Sequence, residues 1–151
     1  RIYYDAAEFE RLAEQALSSG SRDARIRALD IYHEPFLTSS ELQWCYQQRE
    51  RLRQLLGDLL LAEARESVAQ GDVRAAESAF ARLIELDDLD ERAYRGLMWC
   101  RYRSGDDAAA TRIYMQCRNV LRRELGVEPE AATREAWDAI RRREPMPKPL
   151  L

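Results

Sequence analysis

A chain of 151 residues, 46% hydrophobic and 34% charged, is long enough to bury a core and polar enough to fold as a globular domain rich in surface helices. No window holds about 18 consecutive apolar residues, which excludes a transmembrane helix. The formal charge of -3 argues against this piece alone gripping a duplex, because non-specific DNA affinity comes from neutralising many phosphates.

The chain opens on Arg1 rather than Met and carries no leader pattern, so it reads as an excised piece of a longer protein. Helices are expected over 5–19, 23–33, 40–70, 73–86, 91–103, 107–125 and 131–143, with no useful strand alternation between them. In the first, Phe9, Leu12, Ala13 and Ala16 share a face, Asp5 and Glu8 form a capping-box pattern, and Gly20 closes the turn. Ile26, Leu29 and Tyr32 supply the apolar face of the second. Pro35 to Ser40 reads as a loop, with Ser39 or Ser40 capping the long third helix. There Leu55, Leu56, Leu59 and Leu60 fall at core spacing, and Trp44 is expected to pack on the first helix pair. Arg49, Arg51 and Arg53 alternate and read as mostly solvated.

From Gly71 onward the chain repeats itself with an offset of 34 residues: Gly71 recurs as Gly105, Asp72 as Asp106, Ala76 as Ala110 and Phe80 as Tyr114. A period of 34 is the tetratricopeptide length, two antiparallel helices that must stack to bury their apolar faces. Gly71 and Gly105 suit the turn inside each pair, and Asp72, Asp90 and Asp106 suit helix N-caps. The expected fold is therefore all-α, a tetratricopeptide-like helical repeat of about seven helices in a right-handed superhelical stack. Gly126 ends the sixth helix and Pro129 introduces the seventh. The repeat domain is expected to span residues 1–143. Prolines 145, 147 and 149 mark 144–151 as an extended, proline-rich tail or linker.

No constellation for catalysis is visible. His33 is the only histidine and sits in the expected loop. Neither phosphate-binding glycine motif occurs, and acidic pairs such as Asp87-Asp88 and Asp106-Asp107 fall at helix starts, where they favour the dipole. Cys45, Cys100 and Cys117 lack metal or disulfide spacing and read as buried thiols in a reducing, cytoplasmic setting. No enzyme activity, cofactor or metal is expected.

The segment "ELGVEP", Glu124 to Pro129, is the most specific in the chain. With Tyr32, Phe36-Leu37, Trp44, Glu50-Arg51-Leu52, Gly71, "LDDLDERAYRGLM" from Leu86 to Met98, Gly105, Ala109-Ala110 and Tyr114, it resembles the bacterial transcriptional activator domain. That domain is the tetratricopeptide-like module of the actinomycete antibiotic regulatory proteins and related large activators. The chain departs from the family pattern at His33-Glu34, Asp88 and Glu130-Ala131, which are loop and cap positions. The resemblance implies a role in transcription regulation, as an interaction, dimerisation or signal-coupling module. It also implies DNA contact only through a winged-helix domain outside these residues. A generic repeat scaffold and a regulatory segment of a multidomain signalling ATPase are the alternatives.

A partner groove is expected along the fifth helix. With Tyr94 and Leu97 turned inward, Arg92, Arg95, Trp99, Tyr102 and Arg103 face outward, joined by Arg65 from the preceding unit. Arginine forks beside aromatic plates suit carboxylates or stacked rings of a protein partner or a second copy. On this reading Arg95→Ala and Trp99→Ala weaken activation at nearly constant melting temperature. In the competing reading the arginines are solvated and Trp99 packs on its neighbour. The run Arg141 to Arg143 reads as cations in a last helical turn, favouring the macrodipole.

Overall fold

The computed structural model describes residues 2–32 and 43–146, with side-chain surroundings for 5–32 and 46–146. Among the described residues there are seven α-helices and no strand: α1 (Ile2–Ser19), α2 (Arg22–Ile31), α3 (Gln43–Gln70), α4 (Val73–Leu86), α5 (Glu91–Arg103), α6 (Asp107–Leu125) and α7 (Ala131–Arg142). The fold is all-α, of the helical-repeat kind. Four ends follow the local chemistry: Asp72, Asp90 and Asp106 each accept a backbone N–H of their own helix, and Gly126 closes α6. At the two repeat turns the backbone is left-handed, with φ of 75° at Gly71 and 78° at Gly105. Only glycine enters that region without a Cβ penalty.

Two compact units divide the chain, Arg1–Glu63 and Ala64–Leu151. In the first, α1 and α2 form a hairpin about Gly20, and Ser21 caps α2 through the Ala24 N–H. Phe9, Ala13 and Ala28 are fully buried, and the Phe9 ring meets Tyr32 edge-on at 4.9 Å. Leu56, Leu59 and Leu60 are buried as expected, Leu55 is half-buried, and Leu52 is buried as well.

Two details of this unit differ from expectation. Helix α1 already begins at Ile2, so Asp5 lies within its first turn. Glu8 pairs with Arg11 (2.6 Å) and forms no capping box. On α2, Ile26 is exposed and Arg25 is buried. The reason is Glu63 of α3, whose carboxylate takes Arg25 Nε at 3.0 Å and Arg22 Nη2 at 2.8 Å. Satisfying that carboxylate turns the Ala24–Arg25–Ala28 face inward. The expectations for His33, for the loop from Pro35, for the Ser39 or Ser40 cap and for the Trp44 side chain lie outside the described residues.

In the second unit, α4 and α5 meet where Gly96 faces Phe80. A Cβ at Gly96 would stand 2.3 Å from the Phe80 ring, so no larger residue fits without a shift. Beyond that contact lie two buried clusters. Tyr94, Cys117 and Leu121 join α5 to α6; Met98, Ala110, Tyr114, Ala136 and Ile140 join α5, α6 and α7. Trp137 stacks on Tyr114 with centroids 4.3 Å apart and planes within 2°. Burying one such large apolar side chain is worth about 1.5–3 kcal/mol. The outward side of α7 is polar: Arg134, Glu135, Arg141 and Arg142 are exposed.

Candidate partner-binding surface

Helix α5 carries the residues singled out in the sequence, and its neighbours decide their exposure. Arg92 is exposed and pairs with Asp90 at 2.8 Å, at the N-terminus of its own helix. Arg103 is exposed, with its guanidinium 5.7 Å from the Trp99 ring centroid. Arg65, on α3, is exposed. Tyr102 is half-buried and donates its hydroxyl to the Glu144 carbonyl at 2.7 Å.

Arg95 and Trp99 are placed otherwise. They are 6% and 4% exposed, because α7 lies along that side of α5. Arg95 Nη1 donates to Thr133 Oγ1 at 3.0 Å and to the Glu130 carboxylate. Tyr94 is fully buried as expected. Leu97 is half-buried and lines an open cleft of about 540 Å³, with Ala81, Ile113, Arg112 and the Glu77–Arg101 ion pair. The expected outward face of α5 is thus largely its α7 face.

A signal for this stood in the sequence. The repeat pattern places Leu-Gly-x-x-Tyr on the first helix of each pair. Arg95-Gly96-Leu97-Met98-Trp99 matches those slots, with Arg at the leucine position and Trp at the tyrosine position. Beside a glycine that must admit Phe80, both flanking slots are interior whatever their polarity.

The "ELGVEP" segment builds the other half of the contact. Gly126 turns the chain at φ 68° with its N–H on the Arg122 carbonyl. Glu128 then reaches back to Arg118 (3.1 Å) and Arg122. The Arg122 hydrogen bond, and the two guanidinium charges, hold its carboxyl below the usual carboxylate range despite the opposing effect of desolvation. Pro129 is buried, and its carbonyl accepts from Arg134 at 2.5 Å. The Glu130 N–H donates to the Glu91 carboxylate at 3.0 and 3.2 Å. Glu91, Glu130 and the buried Thr133 thus belong to the surroundings of α5; the sequence reading gave none of them a binding role.

At its far end α7 closes on Arg143, left-handed at φ 55°, and the Glu144 N–H returns to the Ala139 carbonyl at 2.9 Å. Arg141 lies in the last turn, over the Trp137 ring at 4.6 Å. Residues 144–146 are non-helical, and Met146 packs back on the Met98–Tyr114 cluster. Because Arg95 meets the start of α7 and Tyr102 meets its end, the two helices run parallel.

Burial pushes the Cys100 and Cys117 thiols up to about 12, so neither is a reactive nucleophile near neutral pH. Among the described residues no group of three His, Cys, Asp or Glu side chains is placed to hold a metal ion. Nor is any helix among them long and apolar enough to cross a membrane.

The family model of the bacterial transcriptional activator domain matches residues 4–141. The chain belongs to this family. It is also similar to the regulatory protein AfsR of Streptomyces coelicolor, with 32% identity over 144 residues. That match covers 93% of this chain and 14% of the relative, so the chain spans about one seventh of the relative's length. The activator-domain match reaches into both compact units and takes in the Arg95–Thr133 contact of α5 with α7.

Proposed function

We propose that this activator domain is the regulatory and protein-interaction module of a bacterial transcription activator, acting in the cytoplasm without catalysis. It couples self-association or a signal to a DNA-binding domain outside these residues. The observation that carries this reading is the family match over residues 4–141, joined to a fold of stacked helices. A partner protein or a second copy docks on the exposed arginines Arg65, Arg92 and Arg103. Trp99 lies beneath Arg103, and Arg95 fixes α5 against α7. Coupling requires a partner that binds two arrangements of the domain unequally.

The test uses Arg65→Ala with Arg103→Ala in the full-length activator. Both positions are exposed, so melting temperature should stay nearly constant while reporter activation falls. Normal activation by the double variant would remove this surface from the proposal. Sedimentation of the chain at micromolar concentration separates a second copy from a different partner. Arg95→Ala and Trp99→Ala serve less well, because both truncate buried groups and lower stability directly.

A further inference from the structure

A guanidinium buried beside a carboxylate is a recognition site as much as a strut. Arg95 is fixed from three sides: it stands on α5 next to Gly96, its side chain is 8% exposed, and Thr133, itself fully buried, accepts from Nη1. The group that completes it is different in kind. The Glu130 side chain is 55% exposed, and Glu130 forms no side-chain cap to its own helix. A charged hydrogen bond to a planar guanidinium suits a carboxylate. The buried partner is rigid and the acidic partner reaches in from the surface.

We propose that Arg95 and Thr133 form a carboxylate-binding site, which the chain's own Glu130 fills in this structure, and that an acidic side chain of a partner segment takes the place of Glu130. Water at the opened edge is a poorer substitute for a charged hydrogen-bond acceptor, so the site favours exchange of one carboxylate for another. In the cis arrangement Glu130 has the advantage of a high effective concentration. An acidic segment competes by making further contacts, and the exposed Arg92 and Arg134 stand on the two helices that form the site. Exchange loosens the tie between α5 and the start of α7. The far end stays held by Tyr102 on Glu144 and by Met146. The site shares Arg92 with the arginine surface proposed above, but its geometry rests on Arg95, Thr133 and Glu130, and its test changes neither Arg65 nor Arg103.

The test is a titration of the chain with acetate and with a tetraglutamate peptide. Amide shifts at Thr133 and the melting temperature are followed, with chloride at equal ionic strength as the control. In Glu130→Ala the cis carboxylate is removed while Arg95 keeps its other contacts, so acetate and peptide should shift the Thr133 amide saturably and raise the melting temperature with the logarithm of their concentration. Wild type should respond to the peptide only at higher concentration, since Glu130 must be displaced. Arg95→Leu combined with Glu130→Ala puts the leucine of the repeat pattern into the site and should abolish both responses. The order Glu130→Ala, then wild type, then the double variant is the expected result. Equal effects of acetate and chloride, equal binding by wild type and Glu130→Ala, or a response that survives Arg95→Leu would each overturn the proposal. Circular dichroism of each variant identifies one that fails to fold. In that event the wild-type peptide titration against Arg95→Leu alone decides.

Discussion

Each compact unit holds one arginine that the solvent barely touches, and the two are neutralised in opposite ways. In the first unit the carboxylate is the buried, shared member: the Glu63 side chain is 11% exposed and serves Arg25 at 5% and Arg22 at 31%. In the second the arginine is the buried member, and the Glu130 carboxylate stands more than half in water. A buried shared anion behaves as a keystone, because removing it takes the carboxylate from two cations at once. A surface anion on a buried cation behaves as a hinged bolt, because water can follow when it leaves.

The contrast predicts unequal mutational costs. Glu63→Ala should be the most damaging, on the order of 3–5 kcal/mol, since it leaves Arg25 without its buried counter-charge. Glu130→Ala should cost less, about 1–3 kcal/mol, because Arg95 keeps Thr133 and gains water at the opened edge. Urea midpoints at constant slope compare them, and equal or reversed costs would break the comparison. Gly96→Ala tests steric rather than electrostatic locking in the second unit. Its Cβ would strike the Phe80 ring, so a loss of about 1–3 kcal/mol or more is expected in the same unfolding assay. A smaller residue at Phe80 should recover part of that loss in a double-mutant cycle.

Acid should weaken the keystone of the first unit. Burial pushes the Glu63 carboxyl up, but the hydrogen bonds and charges of Arg22 and Arg25 outweigh it and leave the group below its ordinary value. A carboxyl whose folded value is depressed contributes stability that is present above the unfolded value. That stability is lost as pH falls through the folded one. The stability difference between wild type and Glu63→Gln should therefore shrink below about pH 4. Melting temperatures across an acid series measure it, and a gap that persists in acid would mean that Glu63 acts through packing instead. The smallest effect is a gain. Arg143 is the one described non-glycine residue in the left-handed region, so Arg143→Gly should stabilise the chain by up to about 1 kcal/mol in thermal unfolding.

Both buried arginines escaped the sequence reading for the same reason. Helix limits are local matters: Asp72, Asp90, Asp106 and Gly126 satisfy backbone groups within a few residues, and the expected ends of α4, α5 and α6 fall where those residues stand. The inward face of a helix is set by distant partners. Arg25 turns in because of a carboxylate 38 positions away, and Arg95 because of groups 35 and 38 positions away. Arg95 was expected on the outward face of α5, and on α2 the inward place went to Ile26, with no role given to Arg25. Only the match of Arg95-Gly96 and Trp99 to the repeat slots carried the opposite message, because a glycine that admits a phenylalanine ring belongs to a packed crossing.

The polar outward side of α7 has a consequence for assembly. A stack of like helix pairs is an open-ended structure, since each pair offers its successor the apolar surface on which it was itself received. Helix α7 takes that surface with Ala136, Ala139 and Ile140 and presents Arg134, Glu135 and Arg142 in its place. Among the described helices it covers the last apolar face of the second unit. Without it, the Met98–Tyr114 face would become a sticky end, complementary to the first helix of a pair in any other copy, and head-to-tail growth would have no geometric reason to stop.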